Sequence, residues 1–231
     1  MDSTLLNDAT TSAATFLGVS TSPHHEPKLY YYDCFGKAEA IRMLFHHAKV
    51  NFEDIRVDLQ DTKYQNLELF RIRHFPILEF SKNRISGAAA ALKTLGKLYG
   101  YYPEDDQQAQ TVDEIIYMNQ KLQGRYWKAR DPRGNQVYYT DRYIKYLDMY
   151  CAHLNKLRNI NAGSTYIVGD KMTVADLENA NTMITYLKND NSTLRDKHSE
   201  VLSKYGSLEE YSKNLESELA EYFSTRPSRP F

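Results

Sequence analysis

The stretch from Lys28 to Phe45, KLYYYDCFGKAEAIRMLF, constrains this chain more than any other, because its pattern changes period within eighteen residues. Leu29 to Tyr32 is a short aromatic run suited to a buried strand. Asp33 to Gly36 supplies turn residues, and Ala38, Ile41, Arg42 and Phe45 then recur at helical spacing. A strand that runs through a tight turn into a helix sets a side chain from the strand end beside the exposed amides of the helix N-terminus. An anion or a thiolate is favoured there.

The remaining chain reads in two parts. Phe52 to Val57 alternates like a second strand, and Asp61 to Leu69 reads as a loop or short helix. Ile77 to Phe80 and Arg84 to Ile85 make a hairpin around Ser81, Lys82 and Asn83, followed by an Ala-rich helix from Gly87 to Tyr99. Residues 104–110 are polar and read as a linker. Beyond them Val112, Ile115, Ile116, Leu122 and Tyr126 form one helical stripe, and Leu147, Cys151 and Leu154 another, with a break at Asp131 to Asn135. Thr173 to Asp176 is a capping box with Met172 and Leu177 as its staple, and Ser207 to Glu210 repeats the pattern.

Several classes are disfavoured. Lys plus Arg total 29 against 30 for Asp plus Glu, so no global charge points to nucleic acid or to a membrane surface. No apolar run approaches the roughly 20 residues of a spanning helix. Cys34 and Cys151 alone cannot build a disulfide framework and fit a reducing compartment. His46 and His47 are adjacent and face different sides of a helix, and the other histidines are single or lie at 24 and 25, so no metal site is expected. Residues 1–27 are rich in Ser, Thr and Ala, contain no Arg and have no compact apolar core, which fits neither a transit peptide nor a signal peptide. They read as an extension, disordered or held by a partner.

The opening stretch resembles that of cytosolic glutathione transferases, especially the sigma-like, tyrosine-type group, in which a tyrosine ends the first strand and a Gly-basic-Ala-Glu run opens the first helix. Here these are Tyr31 and Gly36-Lys37-Ala38-Glu39. Phe75 to Glu79, Tyr99 to Pro103 and Tyr166 to Asp176 follow in the family's order and spacing. The resemblance implies an α/β thioredoxin-like N-terminal domain over 28–103 and an all-α helical C-terminal domain over 111–231. It also implies a cytoplasmic, dimeric protein with glutathione as co-substrate, and an electrophile pocket beside the first-helix loop.

By family position Tyr31 is the residue that stabilises the glutathione thiolate, and Phe75-Pro76 is the cis-proline turn that pairs with the tripeptide backbone. The family's Gln-Ser or Glu-Ser pair, which takes the γ-glutamyl carboxylate, falls on Gly87 and Ala88, so both side chains are missing. Ser86 replaces the lost hydroxyl only if the turn is re-registered. Where Trp and Lys hold the glycine end, only Lys63 is available, and Ile72-Arg73-His74 replaces a small, Gly-containing approach to the proline. Cys34 is a rival nucleophile, one position earlier than the cysteine of the thiol-transfer branch.

Two functions are therefore expected. In one, the site is eroded and the fold persists as a structural or docking subunit of a larger cytosolic or cytoskeletal assembly, anchored by the N-terminal extension. In the other, the protein is an active transferase centred on Tyr31.

Overall fold

A computed structural model describes residues 26–58, 60, 75–80 and 83–229. The expected extension, the segment 61–69, Ile72-Arg73-His74, Lys63 and the Ser81-Lys82 turn lie outside the described residues, apart from Glu26 and Pro27 of the extension. The chain divides into two compact units, Met1–Tyr102 and Pro103–Phe231.

In the first unit, β1 (Lys28–Tyr31), β2 (Glu53–Arg56), β3 (Ile77–Phe80) and β4 (Asn83–Ser86) form one sheet in the order β2-β1-β3-β4. β1 runs parallel to β2 and antiparallel to β3, with Lys28 opposite both Glu53 and Glu79. β3 and β4 pair antiparallel, Ile77 opposite Ser86. Leu29 and Tyr31 are buried while Lys28 and Tyr30 are partly exposed, the alternation that a period of two imposes. A 3-10 turn (Gly36–Ala38) leads into α1 (Glu39–His47), and α2 (Ala88–Tyr99) packs against α1. Ile41, Leu44 and Phe45 of α1 and Leu92 and Leu95 of α2 are fully buried. α2 ends at Gly100 in the left-handed region, φ +81°, where glycine carries no Cβ penalty.

Among the described residues, the regular elements of the second unit are helices. It comprises α3 (Asp106–Arg130), α4 (Gln136–Ile160), α5 (Val174–Ala180), a π-helical run (Asn181–Leu187), α6 (Arg195–Leu202), α7 (Gly206–Glu218) and α8 (Ala220–Thr225). Both expected stripes are buried, and the break between them falls where α3 ends and Asn135 caps α4.

Two sequence expectations are corrected. Residues 106–110 are not linker but the first turn of α3, because the Asp105 carboxylate accepts the Gln108 amide and the polar side chains of that turn face water. Ser207 does not cap α7: the helix already starts at Gly206, and the Ser207 hydroxyl donates to Asn155 Oδ1 instead, at 2.6 Å. The box at Thr173 is present. The buried Asp176 carboxylate accepts from the Thr173 amide and hydroxyl, and also from the Ile167 amide and the Tyr211 hydroxyl, at 2.7 to 2.9 Å. Burial raises the Asp176 pKa, and these four donors oppose the rise. Met172 and Leu177 are buried on either side of the box as its staple requires.

Candidate functional site

Tyr31 lies at the end of β1 with 6% of its surface exposed. Its hydroxyl accepts a hydrogen bond from the backbone N–H of Lys37, 3.0 Å away, in the 3-10 turn that opens α1. The chain reaches this approach through Gly36 at φ +50°, where a Cβ would sit 2.5 Å from the Tyr31 hydroxyl and 2.6 Å from its ring. Only a residue without a side chain lets the ring approach the turn this closely. Burial pushes the phenol pKa far above its ordinary range, against the smaller, opposing pull of the Lys37 amide. The group therefore stays protonated at neutral pH. With an oxygen lone pair occupied by Lys37, and no described residue accepting its proton, the hydroxyl is arranged to donate a hydrogen bond to an anion rather than to act as a base.

Sequence reasoning missed the device that fixes this turn. Arg42 is 3% exposed and pairs with the fully buried Glu39 at 3.1 Å and with Asp54 of β2 at 3.0 Å. One of its nitrogens also donates to the carbonyls of Cys34 and Phe35. Arg56 also donates to the Cys34 carbonyl, and to Asp54. The loop between Tyr31 and the Lys37 amide is thus held by two guanidiniums. The available signal was a basic residue, Arg42, on the buried stripe of α1, since a charge there needs partners.

Cys34 is half-buried in this loop. Burial raises its thiol pKa more than the nearby Arg42 and Arg56 lower it, so it lacks the depressed pKa of a catalytic cysteine.

The proline turn and the α2 N-terminus meet as the sheet register dictates. The Phe75-Pro76 bond is cis. The Gly87 N–H donates to the Pro76 carbonyl at 2.8 Å, directly after the Ile77 and Ser86 pair of the ladder. The ladder is regular at this point, so the turn is not re-registered and Ser86 remains the last residue of β4. Gly87, at φ +94°, precedes α2 without a side-chain cap, and Ala88 opens the helix with 3% exposure. Gly87 and Ala88 themselves offer an anion only the backbone amides of this helix start. The Tyr32 and Phe75 rings contact at a tilt of 49° with centroids 5.1 Å apart, which ties the strand end to the proline turn. Among the described residues no group of His, Cys, Asp and Glu is arranged to hold a metal ion, and no helix is long and apolar enough to cross a membrane.

The chain was compared with known proteins. The family model "Glutathione S-transferase, C-terminal domain" matches residues 120–226. Glutathione S-transferase 2 of Caenorhabditis elegans is 30% identical over 167 residues, covering 69% of this chain and 88% of that relative. The class-mu 28 kDa glutathione S-transferase of Schistosoma mansoni is 27% identical over 220 residues, 88% of this chain and 97% of that protein. Among solved structures, the glutathione S-transferase from Ascaris lumbricoides superposes with a TM-score of 0.73 at 22% identity, over 90% of this chain and 100% of that one. The four-stranded mixed sheet, the helical second unit and these similarities lead to one conclusion: the chain belongs to the glutathione S-transferase family.

Proposed function

We propose that this protein is a tyrosine-type, sigma-like glutathione transferase in which Tyr31 stabilises the thiolate of glutathione, and in which the γ-glutamyl carboxylate is held by the backbone alone. The observation that carries this reading is the Lys37 amide on the Tyr31 hydroxyl, which keeps a neutral phenol fixed as a donor. Glutathione would lie along the Phe75-Pro76 turn with its γ-glutamyl end at Gly87 and Ala88. Its thiol would lose its proton to solvent beside Tyr31, and the thiolate sulfur would bond to an electrophilic carbon as that carbon releases its leaving group, chloride in the case of chlorodinitrobenzene.

A second reading is favoured by one observation: among the described residues no side chain caps the start of α2. A hydrogen bond to a charged group is worth about 1.5 to 3 kcal/mol, so the missing hydroxyl weakens binding by roughly tenfold or more. In this reading the fold serves as a docking subunit, as a homodimer or within a larger assembly, with the N-terminal extension as an anchor.

Calorimetric titration of glutathione into the wild type and Ala88→Ser, beside conjugation assays with chlorodinitrobenzene on the wild type and Tyr31→Phe, separates the two. The transferase reading expects conjugation that Tyr31→Phe reduces by about tenfold, with the pKa of the bound thiol rising by about one unit. A wild type that neither binds nor conjugates at millimolar glutathione, while Ala88→Ser binds, refutes it in favour of the docking subunit. An Ala88→Ser variant that gains nothing refutes the account of the missing hydroxyl.

A further inference from the structure

β2 governs both partners of the Tyr31–Lys37 hydrogen bond. On the strand side, Tyr31 lies opposite Arg56 in the parallel ladder, and its carbonyl accepts the Val57 amide at 2.8 Å. On the loop side, two side chains of β2 act. Arg56 donates to the Cys34 carbonyl, and Asp54 holds the Arg42 guanidinium that reaches the same carbonyl.

The loop is fixed one peptide plane at a time. The Cys34 amide donates to the Tyr32 carbonyl at 2.7 Å. One terminal nitrogen of Arg42 donates to the Cys34 carbonyl at 3.1 Å and to the Phe35 carbonyl at 3.0 Å, and also meets Glu39 Oε2 at 3.1 Å. Two successive carbonyls turned to one nitrogen set the planes on either side of Phe35. The next plane, after Gly36 at φ +50°, carries the Lys37 N–H that meets the Tyr31 hydroxyl. Arg56 gives the Cys34 carbonyl a second donor at 3.1 Å, and Asp54 Oδ2 accepts from both guanidiniums.

These arginines supply geometry more than charge. Arg42 Cζ lies 5.8 Å from the Tyr31 ring centroid, at the outer limit of a cation–π contact. Each guanidinium also faces carboxylates, Glu39 and Asp54 for Arg42, Asp54 and Asp33 for Arg56, which oppose its field at the Tyr31 hydroxyl. A rigid fork serves carbonyls and carboxylates together. An ammonium on a flexible stem carries the same charge but cannot hold that arrangement.

We propose that Arg42 and Arg56 are positioning residues for thiol ionisation: by fixing the Cys34 and Phe35 carbonyls they orient the Lys37 amide, and through it the Tyr31 hydroxyl, as a donor to the thiolate. The thiolate part of this assignment rests on the transferase reading above. The Tyr31–Lys37 bond does not.

The test uses the full chain and two measurements. Hydrogen exchange of the Lys37 amide, followed by NMR in the free protein, reports the Tyr31–Lys37 bond without any ligand. The ultraviolet absorbance of the thiolate, titrated with pH in the presence of glutathione, reports the pKa of the bound thiol. Arg42→Lys keeps the charge and loses the fork. It should speed Lys37 exchange by about tenfold or more and raise the thiol pKa by up to about one unit, as Tyr31→Phe does. The double variant Tyr31→Phe/Arg42→Lys should raise it no further than Tyr31→Phe alone, because both changes remove the same interaction. Arg56→Lys gives up one of the carbonyl bonds and should move both measurements the same way by about threefold. Arg84→Gln, which breaks an exposed ion pair with Glu79, is the control and should move neither. Circular dichroism checks each fold. Arg56→Lys, at a partly exposed side chain, carries the test if the buried Glu39 does not tolerate Arg42→Lys.

Wild-type exchange and a wild-type thiol pKa in Arg42→Lys overturn the proposal in favour of an effect of charge. A rise that adds to that of Tyr31→Phe overturns it in favour of a route that bypasses Tyr31. A wild type with no bound thiolate refutes the transferase reading instead, and Lys37 exchange still decides the positioning: unchanged exchange in both arginine variants overturns it.

Discussion

Replacing Gly36 by alanine tests whether Tyr31 is positioned by the turn beneath it. Two costs add. The backbone at φ +50° disfavours any L side chain by about 1 to 2 kcal/mol. The new Cβ would also stand 2.5 Å from the Tyr31 hydroxyl and 2.6 Å from Cε1, inside any normal contact, and the ring is too buried to swing away freely. Overpacking of this kind costs about 1 to 3 kcal/mol, so the sum is about 2 to 5 kcal/mol. Gly100→Ala provides the comparison. It has the same sign of φ, at +81°, but nothing within 4 Å of its Cβ, so only the backbone cost of about 1 to 2 kcal/mol applies. Urea unfolding followed by far-ultraviolet circular dichroism measures both. Gly36→Ala should be the more destabilised variant by at least about 1 kcal/mol. It should also raise the pKa of bound glutathione, because the displaced phenol leaves the Lys37 amide. Equal loss in the two variants would refute the close packing of Tyr31 on the turn.

Two further outcomes follow from buried groups in the helical unit. His198 is buried, with its imidazole against the Tyr143 hydroxyl at 3.0 Å and the Leu187 carbonyl at 3.3 Å, and burial lowers its pKa to about 4. An unfolded histidine titrates near 6.5. The folded state thus binds fewer protons between these values, and the stability is complete above about pH 6.5 and lost as pH falls towards 4, by at most about 3 kcal/mol. His198→Gln should flatten that part of the stability profile; an unchanged slope refutes the assignment. Asp176→Ala leaves four donors without their acceptor. It should cost about 3 kcal/mol or more in urea unfolding, and a loss below about 1 kcal/mol would show that water replaces the carboxylate.

Features that depend on local chemistry were the legible ones. Tyr31 at a strand end, the helical stripes and the Thr173 box each rest on residues within one or two turns of one another. Features set by partners distant in sequence were not legible. Ser207 fits a capping box by pattern, but Asn155, fifty-two residues earlier, takes its hydroxyl. Arg42 reads as one member of a stripe until Asp54 and the carbonyls of Cys34 and Phe35 converge on it. The first turn of α3 was masked by its Gln-rich composition, which is equally suited to a linker. The missing side chains at Gly87 and Ala88 were visible in the sequence, whereas the regular ladder that leaves Ser86 on its strand needed the structure.

The position of β1 also bears on how the chain is assembled in time. Its parallel neighbour begins at Glu53, but its antiparallel neighbour is not available until Glu79, fifty-one residues after Lys28, has been synthesised. Closing so long a loop costs entropy before the pairing returns any stabilisation. α3 and α4, joined by only the short connection at 131–135, face no such delay. Pulse-labelled hydrogen exchange during refolding should therefore protect α3 and α4 before the amides of β1. Until β3 arrives, Leu29 and Tyr31 belong to a strand whose β3-facing edge has no backbone partner.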